Sequence, residues 1–177
     1  MKKWIPALLA GAVLAVGTAQ AADKTAGDVV DDSTVNASVK AALIENKTTK
    51  ANNINVETHK GVVQLSGFVE TAAEKQEAGR VAAGVDGVKS VSNNISLGSK
   101  TSMGTKLDDS VTTGKVKTAL MDADDVKSGQ INVETKGGVV QLSGFVSSAA
   151  MKEKAGTVAA GVSGVKQVQN ALVVKAN

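Results

Sequence analysis

Gly61-Val62-Val63-Gln64-Leu65-Ser66-Gly67-Phe68-Val69 decides the fold, because it returns unchanged as Gly138 to Val146. The offset is 77 residues (138 − 61), and at that offset Ile54-Asn55-Val56-Glu57-Thr58 returns as Ile131 to Thr135. Outward from this core, the register holds from Asp31-Asp32-Ser33, matched by Asp108-Asp109-Ser110, to Val91-Ser92-Asn93, matched by Val168-Gln169-Asn170. Residues 54–97 and 131–174 are identical at 29 of 44 positions. A repeat of this length sets two domains. A function shared by both copies must use residues present in both.

Within a copy, Val35, Val39, Ala42 and Leu43 fall at helical spacing behind Asp31-Asp32-Ser33-Thr34, which predicts an amphipathic helix. Val116, Ala119 and Leu120 hold the same register in the second copy. Ile54, Val56 and Thr58 alternate as a strand. His59-Lys60-Gly61, or Lys136-Gly137-Gly138, turns that strand into a second one over Val62–Val69, a hairpin. Residues 71–85 return to helical spacing through Ala78, Val81, Ala82 and Val85. Val91, Asn93, Ile95 and Leu97 then alternate as a third strand. The fold class is therefore α+β, two tandem α-β-β-α-β units, each a small three-stranded mixed sheet with two helices on one face. The units occupy 31–97 and 108–174, with a Ser/Thr/Gly/Lys-rich linker at 98–107 and a tail at 175–177. Units of about 60 residues bury only about 60% of their unfolded surface, so packing of one copy on the other is expected.

The first residues read as an export signal. Lys2 and Lys3 precede a short apolar run from Ile5 to Val16, and Ala19-Gln20-Ala21 supplies small residues for cleavage near Ala21. The run falls short of the about 20 residues a membrane span needs. The expectation is a periplasmic chain with no transmembrane segment after cleavage, residues 1–21 being the signal and 22–30 a flexible mature N-terminus.

Removing Lys2 and Lys3 takes the balance of 20 basic and 17 acidic residues to 18 − 17 = +1. With lysines spread along both copies, nucleic acid is not an expected partner. The chain has no Cys, and its one His, His59, is matched by Lys136. No His-based metal site or Ser-His-Asp triad is therefore shared by the copies, and neither metal, cofactor nor catalytic residue is expected. Asp31-Asp32 and Asp108-Asp109 recur, and a carboxylate pair is a candidate for acid/base chemistry or calcium. Acids ahead of a helix have a simpler role as favourable N-terminal charges and candidate caps. Asn93 and Asn170, in an apolar phase of the third strand, are expected to bond neighbouring backbone.

Val63-x-Leu65-x-Gly67-x-Val69, then Val85-x-Gly87-Val88-x-x-Val91-x-Asn93, resembles the BON domain family. The second copy repeats the pattern as Val140-x-Leu142-x-Gly144-x-Val146 and Val162-x-Gly164-Val165-x-x-Val168-x-Asn170. The resemblance covers both repeats. It implies a bacterial envelope protein associated with osmotic stress, attachment to phospholipid or to periplasmic and outer-membrane proteins, chaperone-like protection, and no catalysis. Gly67, Gly87, Gly144 and Gly164 read as structural glycines. Gly67 and Gly144 interrupt a strand, which marks a bulge or a close backbone approach.

Phe68 and Phe145 are the only aromatic residues after the signal. Alternation places Val63, Leu65 and Val69 toward the helices, and Phe68 with Val62, Gln64 and Ser66 on the opposite face. Val62, Phe68, Val139 and Phe145 are thus candidate partner- or lipid-facing residues, as exposed apolar patches often are. Two structural alternatives stand beside this: the open faces pack together, or a bulge at Gly67 turns Phe68 into the core. The leading function is a non-enzymatic envelope-protective protein that binds envelope components or exposed protein segments. A peripheral phospholipid-binding module is the alternative, and a cell-envelope hydrolase acting through the Asp pairs is a third.

Overall fold

Val35, Val39 and Leu43 form the buried stripe of the first helix, α1 (Asp32–Glu45). The computed structural model describes residues 31–98 and 102–175. The expected signal, the tail at 22–30 and the centre of the linker lie outside the described residues. After a 3-10 turn at Ala51–Asn53, the chain enters β1 (Ile54–His59). Lys60 and Gly61 both take positive φ (52° and 79°), the backbone a two-residue type I′ hairpin requires, and reverse it into β2 (Val62–Val69). Helix α2 (Ala72–Ala83) crosses over to β3 (Ser90–Asn93) and β4 (Ser96–Leu97).

The second copy repeats the order. It runs through α3 (Met103–Asp122), a 3-10 turn at Ser128–Gln130, β5 (Asn132–Lys136) and β6 (Val139–Ser143). It closes with β7 (Phe145–Val146), α4 (Ala149–Ala160), β8 (Gln167–Asn170) and β9 (Val173–Val174).

Each sheet is mixed. β2 lies between β1, to which it is antiparallel, and β3 and β4, which run parallel to it. β6 and β7 hold the same place between β5 and the pair β8 and β9. The third strand, expected to be continuous, is interrupted at Asn94-Ile95. There the Asn93 side chain accepts from the Ile95 N–H (3.3 Å), and the register on β2 is unchanged across the gap. A second difference is the start of α3. Residues 103–107, expected in the linker, form its opening turns, and Ser102 caps the helix by accepting from the Thr105 N–H. Its position in a Ser/Thr/Gly/Lys-rich stretch hid the helical spacing of Met103, Leu107 and Val111.

There are two cores. In the first, Val35, Val39 and Leu43 of α1 and Ala78 and Ala82 of α2 pack on Val63, Leu65, Val69 and Ile95. In the second, Val116, Leu120, Ala155 and Ala159 pack on Val140, Leu142, Val146 and Leu172. Small Ala side chains on α2 and α4 let those helices sit close to the sheet. The helices cover one face of each sheet only, yet every residue from Val63 to Val69 is buried. What covers the other face is the other repeat.

Candidate functional site

β2 and β6 meet face to face, and the contact is reciprocal about a pseudo-two-fold axis. Ser66 donates to the Ser143 hydroxyl across that axis (2.8 Å). On one side, Gln141 Oε1 accepts from the Gly67 N–H (2.6 Å) while its Nε2 donates to the Asn94 carbonyl (2.7 Å). On the other, Gln64 Oε1 accepts from the Gly144 N–H (2.7 Å) and its Nε2 donates to the Ala171 carbonyl. Each glutamine thus satisfies a donor and an acceptor of the opposite repeat, as buried polar groups require. Ser96 adds a bond to Gln169.

Phe68 and Phe145 flank this polar centre, and each is only 7% exposed. Phe145 lies against His59 of the first repeat, with ring centroids 5.4 Å apart. Phe68 lines a small cleft with Val133 to Lys136 of the second repeat. Val62 and Val139 are half-buried. The phase deduced from alternation therefore holds, and of the two structural alternatives the packing of open faces is the one adopted. Phe68 and Phe145, two of the four candidate partner- or lipid-facing residues, lie against the other repeat.

Gly67 makes this arrangement possible. Its φ is +117°, and a Cβ there would lie 2.2 Å from the Asn53 carbonyl oxygen. Gly144 repeats both features, with φ +123° and 2.2 Å to the Gln130 carbonyl. The left-handed backbone accompanies an N–H that bonds across the interface rather than along the sheet. Gly87 and Gly164 also have positive φ, at the turn that follows each crossover helix.

Glu57 and Glu134 border the same interface. A Cβ at Gly144 would be 3.0 Å from Glu57 Oε2, and one at Gly67 would be 3.2 Å from Glu134 Oε2. Burial raises the Glu57 carboxyl above its ordinary value, partly offset by Lys40. Burial also raises Glu134, against a hydrogen bond from Asn55 and the charges of Lys117 and Lys136.

The second Asp of each pair serves a hairpin. Asp32 accepts from the Lys60 N–H (2.6 Å) and the Gly61 N–H (2.8 Å), and Asp109 accepts from Gly137 and Gly138 (2.8 and 2.9 Å). Burial raises the Asp32 carboxyl. The Gly61 and Lys60 N–H groups, with His59 and Lys89, outweigh it and hold the carboxyl below its usual range. The expected capping is corrected accordingly. Asp31 occupies the N-cap position of α1 without a side-chain capping bond, and Asp109 lies inside α3. Asn93 and Asn170 donate to helix carbonyls of Lys75 and Lys152, each at 2.7 Å. Among the described residues no group of three or more His, Cys, Asp or Glu is placed to hold a metal.

Two features escaped the sequence. The first is an exposed stripe on α3, where Met103, Leu107 and Val111 are 81%, 71% and 57% exposed. Their spacing of four residues (103, 107, 111) was the available signal. Ile44 and its counterpart Met121 are exposed as well. The second is a difference at the start of the crossover helix. Glu74 and Thr71 form a capping box on α2, tied to Lys50, whereas Ser148 caps α4 opposite Met151. Among the described residues no helix is long and apolar enough to cross a membrane.

Comparison with known proteins places these features in a family. The BON domain profile matches residues 31–99 and 108–176. The chain is similar to osmotically-inducible protein Y of Escherichia coli K12, with 44% identity over 84% of this chain and 75% of that one. It is also similar to the 21 kDa hemolysin of Actinobacillus pleuropneumoniae, with 34% identity over 82% of this chain and 75% of that one. The outer membrane lipoprotein DolP of Haemophilus influenzae is 32% identical over the same shares, 82% and 75%. With both repeats matched and the sheets, crossovers and glycines in place, the chain belongs to the BON domain family.

Proposed function

We propose that the chain is a non-enzymatic protective protein of the bacterial envelope, exported to the periplasm after cleavage near Ala21. It binds exposed apolar segments of other proteins. The names osmotically-inducible protein Y and outer membrane lipoprotein DolP support the envelope and osmotic-stress setting. The observation that carries the binding role is the Met103–Leu107–Val111 stripe, because large apolar side chains in line on a helix are a contact surface. Phe68 and Phe145 are buried against the opposite repeats. One Asp of each recurring pair, Asp32 and Asp109, is occupied in hairpin bonds, which favours this role over hydrolysis.

Suppression of aggregation of a heat-unfolded envelope protein by residues 22–177 tests the proposal. Leu107→Asp, at an exposed position, is expected to abolish protection while leaving the melting temperature within about 2 °C, as surface changes do. Equal protection by wild type and Leu107→Asp overturns it. Co-sedimentation with anionic vesicles that is lost in Leu107→Asp, without any aggregation suppression, selects the phospholipid-binding module instead.

A further inference from the structure

The internal duplication provides its own comparison, and the repeats differ in chemistry at the start of the crossover helix. In the first, the buried Glu74 carboxylate accepts from the Glu70 N–H (2.9 Å) and the Thr71 N–H (3.3 Å). Lys50 Nζ lies 3.3 Å from the same carboxylate and 3.0 Å from Glu70. Burial raises the Glu74 carboxyl, and these donors reverse that and hold it below its ordinary range. A carboxylate is therefore clasped by two backbone N–H groups and an ammonium at the positive end of α2.

At the offset of 77 a lysine and two backbone N–H groups stand at the matching positions and the carboxylate is lost. Lys50, Glu70, Thr71 and Glu74 become Lys127, Ser147, Ser148 and Met151, and Glu77 becomes Lys154. No described residue accepts from the Ser147 or Ser148 N–H. Beside Ser148 opens a cavity of about 710 Å³ lined by Asp125, Val126, Lys127, Ser148, Met151 and Lys154, among others. That is within the about 300–1,000 Å³ of small-molecule pockets. The formal charges change from one cation and two anions (Lys50; Glu70, Glu74), with Glu77 paired to Arg80, to two cations and one anion (Lys127, Lys154; Asp125). Buried Met151 and Val126 give the cavity an apolar floor.

We infer that the second repeat binds an external carboxylate attached to an apolar group. The carboxylate takes the position that the Glu74 carboxylate holds in the first repeat, accepting from the Ser147 and Ser148 N–H groups and pairing with Lys127. The apolar group rests on Met151 and Val126. The free C terminus of a polypeptide ending in an apolar residue and a fatty acid share this chemistry. The inference stands apart from the α3 stripe, which lies on a different helix.

Titration of residues 22–177 with N-acetyl-leucine, followed by NMR, tests it. Saturable shifts of the Ser147, Ser148 and Met151 amides are expected, with Glu70 and Thr71 unmoved and no response to N-acetyl-leucinamide. Octanoate separates the sources: weaker binding than acetyl-leucine assigns a polypeptide C terminus, and tighter binding a fatty acid. Lys127→Ala, at an exposed position, is expected to weaken binding about tenfold, the loss of one charged hydrogen bond. Met151→Glu rebuilds the first repeat's arrangement and is expected to abolish binding, while Glu74→Met makes Glu70 and Thr71 respond. Absence of shifts at Ser147 and Ser148 overturns the inference. So do equal shifts in both repeats of the wild type, or undiminished binding by Met151→Glu.

Discussion

At the scale of single residues, the interface depends on a few groups with no substitute. Gly67 combines a positive φ with a backbone oxygen 2.2 Å from where a Cβ would stand. Gly67→Ala is therefore expected to cost about 3 kcal/mol or more through strain and displacement of the Asn53 turn, read as a lowered urea midpoint. Gln64 serves two buried partners in the opposite repeat, the Gly144 N–H and the Ala171 carbonyl. Gln64→Ala leaves both unmet and is expected to cost about 1–3 kcal/mol per group, measured by equilibrium unfolding. Phe68 was legible as to phase, because alternation through β2 is regular. What it meets was not, because the partner face lies 77 residues away in sequence. Asp32 supplies the favourable first-turn charge expected of it, but the cap expected of the pair is absent for a related reason. A carboxylate before a helix advertises a cap, whereas its actual donors are two hairpin N–H groups brought beside it by the packing of α1 on β1.

At the scale of elements, α2 and β3 show how a locally poor residue is kept by its neighbour. A glycine inside a helix costs about 1 kcal/mol relative to alanine. Yet a Cβ on Gly79 would stand 2.7 Å from Asn93 Nδ2, the atom that reaches the Lys75 carbonyl. Gly79→Ala is expected to destabilise the native chain by about 1–2 kcal/mol, because it displaces a half-buried amide from its acceptor. In an Asn93→Ala background the same change is expected to stabilise by about 0.5–1 kcal/mol. A double-mutant cycle by chemical denaturation checks the reversal of sign. Hairpins, crossovers and helix stripes were readable here because each depends on short spacings in one segment. The extension of α3 was not, since Ser102 to Lys106 carries linker composition and only Met103, Leu107 and Val111 mark a helix.

At the scale of the whole molecule, two carboxylates at the seam link stability to pH. Glu57 and Glu134 have carboxyls raised by burial. A raised native pKa favours the protonated form in the folded state. The stabilisation is complete below the unfolded value, about 4.3, and is lost as pH rises through the higher folded value. Glu57→Gln and Glu134→Gln are expected to raise the melting temperature at pH 7 relative to wild type and to flatten its fall above pH 5. Thermal unfolding across pH 4–8 checks this. Asp32, held low by its hairpin donors, works in the opposite sense: its contribution is present above about pH 4 and disappears as pH falls through its depressed value.

The reciprocal glutamine clasp also constrains how such a chain diverges. Gln64, Ser66 and Gly67 each face a counterpart belonging to the identical set Gln141, Ser143 and Gly144. A change at one of these positions alters a bond that the opposite copy still requires, so the seam tolerates drift only in matched pairs. The ends of the crossover helices answer to no such partner, and there Glu74 and Met151 have already gone separate ways. A tandem fold joined in this manner keeps its inheritance at the axis and is free to specialise at its periphery.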